Sequence, residues 1–174
     1  MASDETKRRL LTSAAARVRA TGYRGASVDA ILGPAGLTKG AFYHHFDSKE
    51  TLGRLLVGQF WAELRAKIEQ AGTSPSALLA AALSESGTAL VDLCGEYGEG
   101  MEGMREALTG ALAEWTARLE AAAGSRARAE MLLALSIGGA LLAKVFGDPE
   151  VASRLAAQAE APAATRAEGL AYID

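Results

Sequence analysis

Apolar residues recur at steps of three and four along most of this chain, and that spacing constrains the fold more than any other feature. In the first such segment, Ser3 to about Ala20, they are Leu10, Leu11, Ala14, Ala15 and Val18. A helix of 3.6 residues per turn places residues so spaced on one face. The chain also holds 38 alanines and 23 leucines against ten valines and isoleucines in total, so helix formers outnumber sheet formers. We therefore predict an all-α protein, and its 174 residues suffice to bury a core without disulfides.

Glycines and small polar residues divide the first fifty residues into short helices. Gly22 is predicted to end the first helix, which is basic and amphipathic. Ser27 offers the side-chain acceptor of a good N-cap for a second helix, and Thr38 offers one for a third, Lys39 to about Phe46. Gly36 lies in the tight turn between the second and third helices. Two short helices joined by such a turn, with a basic helix before them, are typical of a helix-turn-helix, which reads DNA.

The remaining pattern predicts further helices. Asp47 is expected to cap a fourth helix, which runs to about Ala71, with Glu50 in a capping-box position. The next predicted helices cover about 76–94, 101–123, 125–146 and 150–161. The helix at 125–146 is apolar nearly all round in its second half, so it needs cover on both sides. Its apolar run of 13 residues is shorter than the roughly 20 that a membrane-crossing helix needs. We predict a buried helix and no membrane partner.

Charge is distributed unevenly along the chain. The formal net charge is −3, but residues 1–50 carry eight basic and five acidic side chains and therefore a net charge of +3. The remainder carries −6. A basic module joined to an acidic body favours contact between that module and a polyanion. An asymmetry of this size also arises by chance, so charge alone does not decide the function.

Several classes of protein are disfavoured by the residue types present. Cys94 is the only cysteine, which excludes an internal disulfide and a multi-cysteine zinc site. His44 and His45 are the only histidines, and adjacent residues point about 100° apart on a helix, so they are poorly placed as a metal pair. We predict no metal and no cofactor. The polar segment Met1–Arg9 lacks the apolar core of a signal peptide, which favours a cytoplasmic protein.

The first third of the chain contains an ordered string of residues with fixed gaps. It consists of Thr21-Gly22-Tyr23, Ser27-Val28, Ile31, Ala35 to Phe46 and Ser48 to Leu52. This string resembles the N-terminal domain of the TetR-type (tetracycline-repressor-like) transcriptional regulators. The resemblance implies a three-helix DNA-binding domain in residues 1–47 and an all-helical domain in residues 48–174 that forms a homodimer and binds a small-molecule effector. Gly33-Pro34 departs from the family pattern, and we expect the proline to kink or shorten the second helix.

The resemblance also implies which residues contact DNA. A helix of about two turns fits the major groove, where its outward side chains reach base edges. By position, the DNA-facing residues are Thr38, Lys39, Gly40, Tyr43 and His44, with Lys49 on a phosphate. Packing is the alternative role for Tyr43.

Roles in the body of the protein follow from less specific patterns. The helix at 125–146 is the expected dimer interface, with the helix at 150–160 completing a four-helix bundle, and an intramolecular core helix is the alternative. The expected interface residues are Leu135, Gly138, Gly139, Leu142 and Phe146. Sulfur-containing and aromatic side chains suit a pocket for a small apolar effector, although core packing explains most of them equally well. The expected pocket residues are Phe60, Trp61, Leu90, Cys94, Tyr97, Met104, Trp115 and Met131.

These patterns predict a ligand-responsive regulator. As a repressor, it would bind a (pseudo)palindromic operator on double-stranded DNA as a homodimer and would be released by a small-molecule effector. One alternative is a helical adaptor with a vestigial DNA-reading head. Another is a thiol or carboxylate enzyme that uses Cys94 or an acidic pair, but no catalytic spacing supports it. Only scattered acids surround Cys94 in sequence, which disfavours a low thiol pKa. We therefore predict that the protein is not an enzyme.

Overall fold

The computed structural model describes residues 2–72, 74–148, 150, 151, 154, 155 and 157. These described residues form eight helices. They are α1 (Ala2–Gly25), α2 (Val28–Ala35), α3 (Lys39–His45), α4 (Lys49–Ala71), α5 (Pro75–Ala82), α6 (Glu85–Glu96), α7 (Glu102–Ala123) and α8 (Arg126–Phe146). The all-α prediction is confirmed. Most of the predicted helix at 150–161, and the alanine-rich segment after it, lie outside the described residues.

The helix-turn-helix has the predicted caps. Ser27 Oγ accepts a hydrogen bond from the backbone N–H of Ala30 at 3.2 Å, and Thr38 Oγ1 accepts one from Ala41 at 3.3 Å. Gly36 follows α2 in the left-handed region, with a φ of 61°, which glycine adopts without steric cost. α2 and α3 both pack against α1, which completes the three-helix arrangement. The buried apolar side chains of these helices include Leu10, Val18, Ile31, Phe42 and Phe46.

The expected effect of Pro34 on α2 stays a prediction. The helix runs through Pro34 to Ala35. The backbone N–H of Gly36 donates to Gly33 O at 3.0 Å, and that of Leu37 donates to Leu32 O at 3.2 Å. Two such bonds are the usual way in which a helix ends at a left-handed glycine. Pro34 occupies the last turn, where the helix is about to end, and there its missing N–H interrupts little of the hydrogen-bond ladder.

Gly22 ends the first regular stretch of α1, as predicted, because its φ of 74° and ψ of 170° are non-helical, and a separate helical turn follows it up to Gly25. One predicted boundary is wrong. The single helix predicted for 76–94 is two helices, α5 and α6, with a break at Leu83 and Ser84. Leu83 N donates to Ala80 O at 3.2 Å, which tightens the end of α5.

The predicted cap of α4 is also wrong. Ser48 lies immediately before α4, and its Oγ accepts a hydrogen bond from Thr51 N at 3.0 Å, so Ser48 takes the capping role assigned to Asp47. Glu50 does not complete a capping box. Its carboxylate instead accepts a hydrogen bond from the backbone N–H of Met104, at the start of α7.

The chain divides into two compact units. The first unit comprises residues 1–63 and 85–112, and the second comprises residues 64–84 and the described residues from 113 onward. In the first unit, α6 packs against α1. In the second, α5 packs against α8, with Leu78, Leu79 and Leu132 buried. The predicted boundary after residue 47 divides the chain by expected role, DNA binding before it and effector binding and dimerisation after it, and it stays a prediction.

α8 is not the buried helix that the sequence suggested. Leu141, Leu142, Val145 and Phe146 are exposed in its second half, and Val145 and Phe146 are 75% and 66% accessible. By length and hydropathy alone α8 could cross a membrane, a test that core helices of water-soluble proteins also pass. An exposed apolar face of this kind is uncommon on a monomeric protein and is typical of an interaction surface.

Candidate nucleic-acid interface

The predicted DNA-facing residues share the exposed side of α3. Phe42 and Phe46 are almost fully buried, with ring centroids 5.4 Å apart, and they fix the helix on the core. Residues between them point away from that core because one helical turn is 3.6 residues. Tyr43 is 58% exposed, and Lys39, Gly40 and His44 are exposed as well. The packing alternative for Tyr43 is limited to one edge contact, with the Phe42 ring.

Thr38 and Gly40 give the start of α3 an open, polar surface. The Thr38 hydroxyl oxygen accepts the capping bond, which leaves its O–H free to donate to another group. A Cβ at Gly40 would meet nothing nearer than Thr38 Oγ1, at 3.8 Å. A glycine with open space above it lets another molecule approach the backbone closely.

Asp29 is a charged neighbour of this surface that sequence reasoning missed. Lys39 Nζ lies 3.0 Å from Asp29 Oδ1, and both side chains are exposed. Asp29 lies in the first turn of α2, and Lys39 is the first residue of α3. No spacing within either helix indicated this pair, because the two residues lie on different helices and their contact depends on how α2 and α3 pack.

Lys49 is oriented differently from the other predicted contacts. Its Nζ donates to the backbone oxygen of Tyr23 at 2.6 Å and lies 4.4 Å from the centre of the Tyr23 ring. Burial lowers the pKa of Lys49 below its usual value, while the negative charge of Glu96 opposes this shift. A hydrogen bond from Lys49 to a DNA phosphate would require the ammonium group to leave Tyr23, and that role stays a prediction.

Tyr23 is the centre of a tightly packed junction in the first unit. Its side chain is buried, and burial, followed by the charge of Glu50, raises its pKa to about 12. A Cβ at Gly53 would lie 2.7 Å from Tyr23 Cε2 and 2.9 Å from Met104 Sδ. We call Tyr23, Lys49, Gly53 and Met104 the Tyr23 junction. It joins α1, α4 and the start of α7.

Two carboxylates reinforce this region through contacts that the sequence analysis did not predict. Glu50 Oε1 accepts from the backbone N–H of Met104 at 2.7 Å, and Glu96 Oε2 accepts from that of Arg24 at 2.6 Å. Each carboxylate thus bonds a backbone donor near the start of a helical turn, where N–H groups lack partners within the helix. A Cβ at Gly22 would lie 2.3 Å from Glu96 Oε1, so glycine makes room for that carboxylate.

α1 adds positive charge beside the end of α2. Arg8, Arg9 and Arg17 line an open cleft of about 480 Å³, together with Pro34 and apolar side chains of α1. Arg9 donates to the backbone oxygen of Ala35, and Arg8 forms an ion pair with Glu5 at 2.6 Å. Arg9 therefore satisfies a carbonyl at the end of α2.

The predicted effector residues fall into two environments. Five of them are buried, as the alternative role in core packing predicts: Phe60, Trp61, Leu90, Met104 and Trp115. Cys94 is half-buried, and burial raises the pKa of its thiol. Tyr97 and Met131 are exposed. Six of the eight residues belong to the first unit, whereas Trp115 and Met131 belong to the second.

Four of the five predicted interface residues line one cavity on α8. Leu135, Gly138, Gly139 and Leu142 line it with Met131, and its volume is about 290 Å³. Gly139 is buried, and a Cβ there would lie 3.2 Å from Leu155 Cδ1, so this glycine serves packing within the chain. Gly138 has open space above it, and Phe146 is exposed. Within the part of the chain described, no three histidine, cysteine, aspartate or glutamate side chains are grouped to hold a metal ion.

Residues 10–54 match the family model for bacterial regulatory proteins of the tetR family. This range contains all of α2 and α3 and parts of α1 and α4. The chain is also 40% identical over 47 residues to a protein of Mycobacterium sp. (strain GP1) named HTH-type transcriptional repressor DhaR. That match covers 27% of this chain and 24% of the relative, so it spans about a quarter of the relative's length.

Solved structures share the fold beyond the helix-turn-helix. A TetR-family transcriptional regulator from Agrobacterium tumefaciens has a TM-score of 0.74 at 21% identity, covering 89% of this chain and 95% of that one. A TetR-family regulator from Cytophaga hutchinsonii has a TM-score of 0.74 at 19% identity, covering 92% and 94%. Identities this low show a common fold rather than a common ligand. The helix-turn-helix is therefore similar in sequence to that of the tetR family of bacterial regulatory proteins, and the described helices share the fold of solved TetR-family regulators.

Proposed function

We propose that this protein is a cytoplasmic, ligand-responsive repressor that binds a (pseudo)palindromic operator as a homodimer. The observation that carries the proposal is the exposed polar face of α3, held in place by the buried rings of Phe42 and Phe46. TetR-family regulators are transcription factors rather than enzymes. The raised pKa of the Cys94 thiol also gives no support to a nucleophile. The adaptor alternative rested partly on Pro34, which lies in the last turn of α2.

Residues 1–47 would read the operator. α3 would enter the major groove, with Lys39 reaching a guanine edge or a phosphate and with Tyr43 and His44 donating to phosphate oxygens. Thr38 would donate its hydroxyl proton, and the bare backbone at Gly40 would allow close approach. A duplex is recognised through such a combination because phosphate contacts set the position of the helix and base contacts supply the sequence information.

Residues 48–174 would hold the dimer together and bind the effector. The exposed apolar face of α8 suits a second copy of the chain, since a two-fold dimer buries the same patch on both partners. A dimer would place two α3 helices in successive major grooves. An effector that favours a different dimer geometry would then weaken operator binding, because two half-sites at a fixed separation must be met together.

The DNA-binding surface can be tested by mobility shift with duplex DNA from the region upstream of the protein's own gene. We expect Lys39→Met and Tyr43→Ala each to weaken binding by at least about tenfold, because each removes a donor to DNA. If its ammonium group contacts a phosphate, Lys39→Met should also reduce the slope of log affinity against log salt concentration by about one, whereas a contact with a guanine edge changes the base preference instead. Both side chains are exposed, so thermal unfolding should stay unchanged.

Lys67→Met is the matched control, because Lys67 is an exposed lysine on α4 outside residues 1–47. It should bind DNA as the wild type does. Retention of full affinity in both Lys39→Met and Tyr43→Ala would show that α3 does not carry the interaction. Failure of the wild-type protein to bind at low salt would count against the regulator itself.

Lys49→Met distinguishes a phosphate contact from a structural one. In this structure the ammonium group bonds Tyr23 O, so we expect the variant to lose about 1–2 kcal/mol of unfolding free energy. The salt dependence of DNA binding should stay that of the wild type. Chemical denaturation and a salt titration measure the two effects. A fall in the slope of about one, without loss of stability, would instead support the phosphate contact predicted from the sequence.

A further inference from the structure

The ion pair between Asp29 and Lys39 lies on the face that we propose to meet DNA. Lys39 Nζ and Asp29 Oδ1 are 3.0 Å apart, and the two side chains are 63% and 70% exposed. An ion pair this exposed contributes little to fold stability. The carboxylate of Asp29 also interacts favourably with the partial positive charge at the start of α2. An acidic residue elsewhere in that turn would have the same effect. The fold therefore does not require a carboxylate beside Lys39.

A carboxylate at a DNA interface carries a cost that needs an explanation. It repels phosphates, and it neutralises part of the attraction that Lys39 would exert on any duplex. An ionised carboxylate only accepts hydrogen bonds. The donors that the major groove offers are the amino groups of cytosine N4 and adenine N6. A favourable contact for Asp29 therefore depends on the base that it meets.

The two base pairs differ in how they arrange donors and acceptors. Guanine presents two neighbouring acceptors, N7 and O6, and the N4 amino group of the paired cytosine lies beside them. A lysine, which only donates, next to a carboxylate, which only accepts, matches this order of two acceptors followed by a donor. In an A·T pair the amino group of adenine lies between two acceptors, adenine N7 and thymine O4. A carboxylate that met adenine N6 would thus lie between two acceptors, whereas at cytosine N4 it has an acceptor on one side only, and the lysine binds that acceptor.

We propose that Asp29 and Lys39 together read one G·C pair in each half-site of the operator. Lys39 Nζ donates to guanine O6 or N7, and the Asp29 carboxylate accepts from cytosine N4. The inference rests on the proposed function and adds a specificity-determining residue on α2 to the contacts on α3. Asp29 contributes to sequence discrimination rather than to general affinity, because phosphates and base acceptors repel its carboxylate unless an amino group lies where it can donate.

In vitro selection from a random-sequence duplex library tests the pair. The full-length wild type, Asp29→Ala and Lys39→Met are selected in parallel, and the bound sequences are compared. We expect the wild type to enrich G·C at one position of each half-site. Both variants should lose about tenfold of the preference at that same position and keep their preferences elsewhere. Each variant is first checked for an unchanged thermal unfolding curve.

Glu69→Ala is the control, since it removes one acidic member of an exposed ion pair, with Arg65, outside residues 1–47. Its selected sequences should match those of the wild type. An Asp29→Ala selection identical to the wild type, or Asp29 and Lys39 variants that alter different positions, would overturn the paired reading. A wild type that enriches no sequence at all would instead contradict the proposed function.

Discussion

The double variant Leu142→Glu/Phe146→Glu is expected to be a folded monomer that no longer retains operator DNA. These residues lie four apart on α8, so they share one face, and both are exposed in the single chain. In a dimer through this face each substitution would remove the burial of an apolar side chain, which contributes about 1.5–3 kcal/mol. Each would also place a carboxylate in an interface from which water is excluded. A combined cost of about 5 kcal/mol raises the dimer dissociation constant by more than about a thousandfold.

Operator binding should fall with the dimer. Two linked half-site contacts gain affinity from their effective concentration, and a monomer loses that gain, which is commonly about a hundredfold or more. Analytical ultracentrifugation measures the oligomeric state, and mobility shift measures DNA binding. Tyr97→Glu is the control, because Tyr97 is also an exposed aromatic residue but lies after α6 in the first unit. A folded double variant that stays dimeric would show that α8 does not form the interface.

Hydrogen bonds between residues close in sequence made much of the helix-turn-helix predictable. The caps at Ser27 and Thr38 and the left-handed Gly36 involve neighbours within a few residues, so sequence alone indicates them. The break between α5 and α6 has no such signal, since Leu83 and Ser84 interrupt no apolar spacing and contain neither glycine nor proline. The choice between Asp47 and Ser48 as the cap of α4 was similarly open, because adjacent residues both carry suitable acceptors.

The site was predictable to the same extent. Helical periodicity places Lys39, Tyr43 and His44 opposite the buried phenylalanines, and the structure has them there. The partner of Lys49 lies 26 residues away, and that of Glu50 lies 54 residues away. No pattern within a helix encodes such pairs, because they depend on how α1, α4 and α7 pack in the first unit. The sequence therefore predicted only a DNA contact for Lys49, whereas the structure shows a hydrogen bond to Tyr23 O.

Gly53→Val is expected to lower the unfolding free energy by about 3 kcal/mol, through overpacking of the Tyr23 junction. The first added carbon would already lie 2.7 Å from Tyr23 Cε2 and 2.9 Å from Met104 Sδ, closer than van der Waals contact allows. Tyr23 has little freedom to retreat, since its ring is buried and its carbonyl oxygen binds Lys49. Met104 is almost fully buried, and its backbone N–H is held by Glu50.

Gly58→Val separates this clash from the general effect of valine in a helix. Gly58 lies on the same helix, α4, but a Cβ there meets nothing within 4 Å. Valine has a somewhat higher helix propensity than glycine, so Gly58→Val should leave the melting temperature unchanged or raise it slightly. Gly53→Val should lower it by about 6–12 °C in a chain of this size. Because helix propensity acts equally at both positions, equal melting temperatures would mean that the Tyr23 junction yields to the added side chain at little cost, whereas a large difference measures how rigidly it joins α1, α4 and α7.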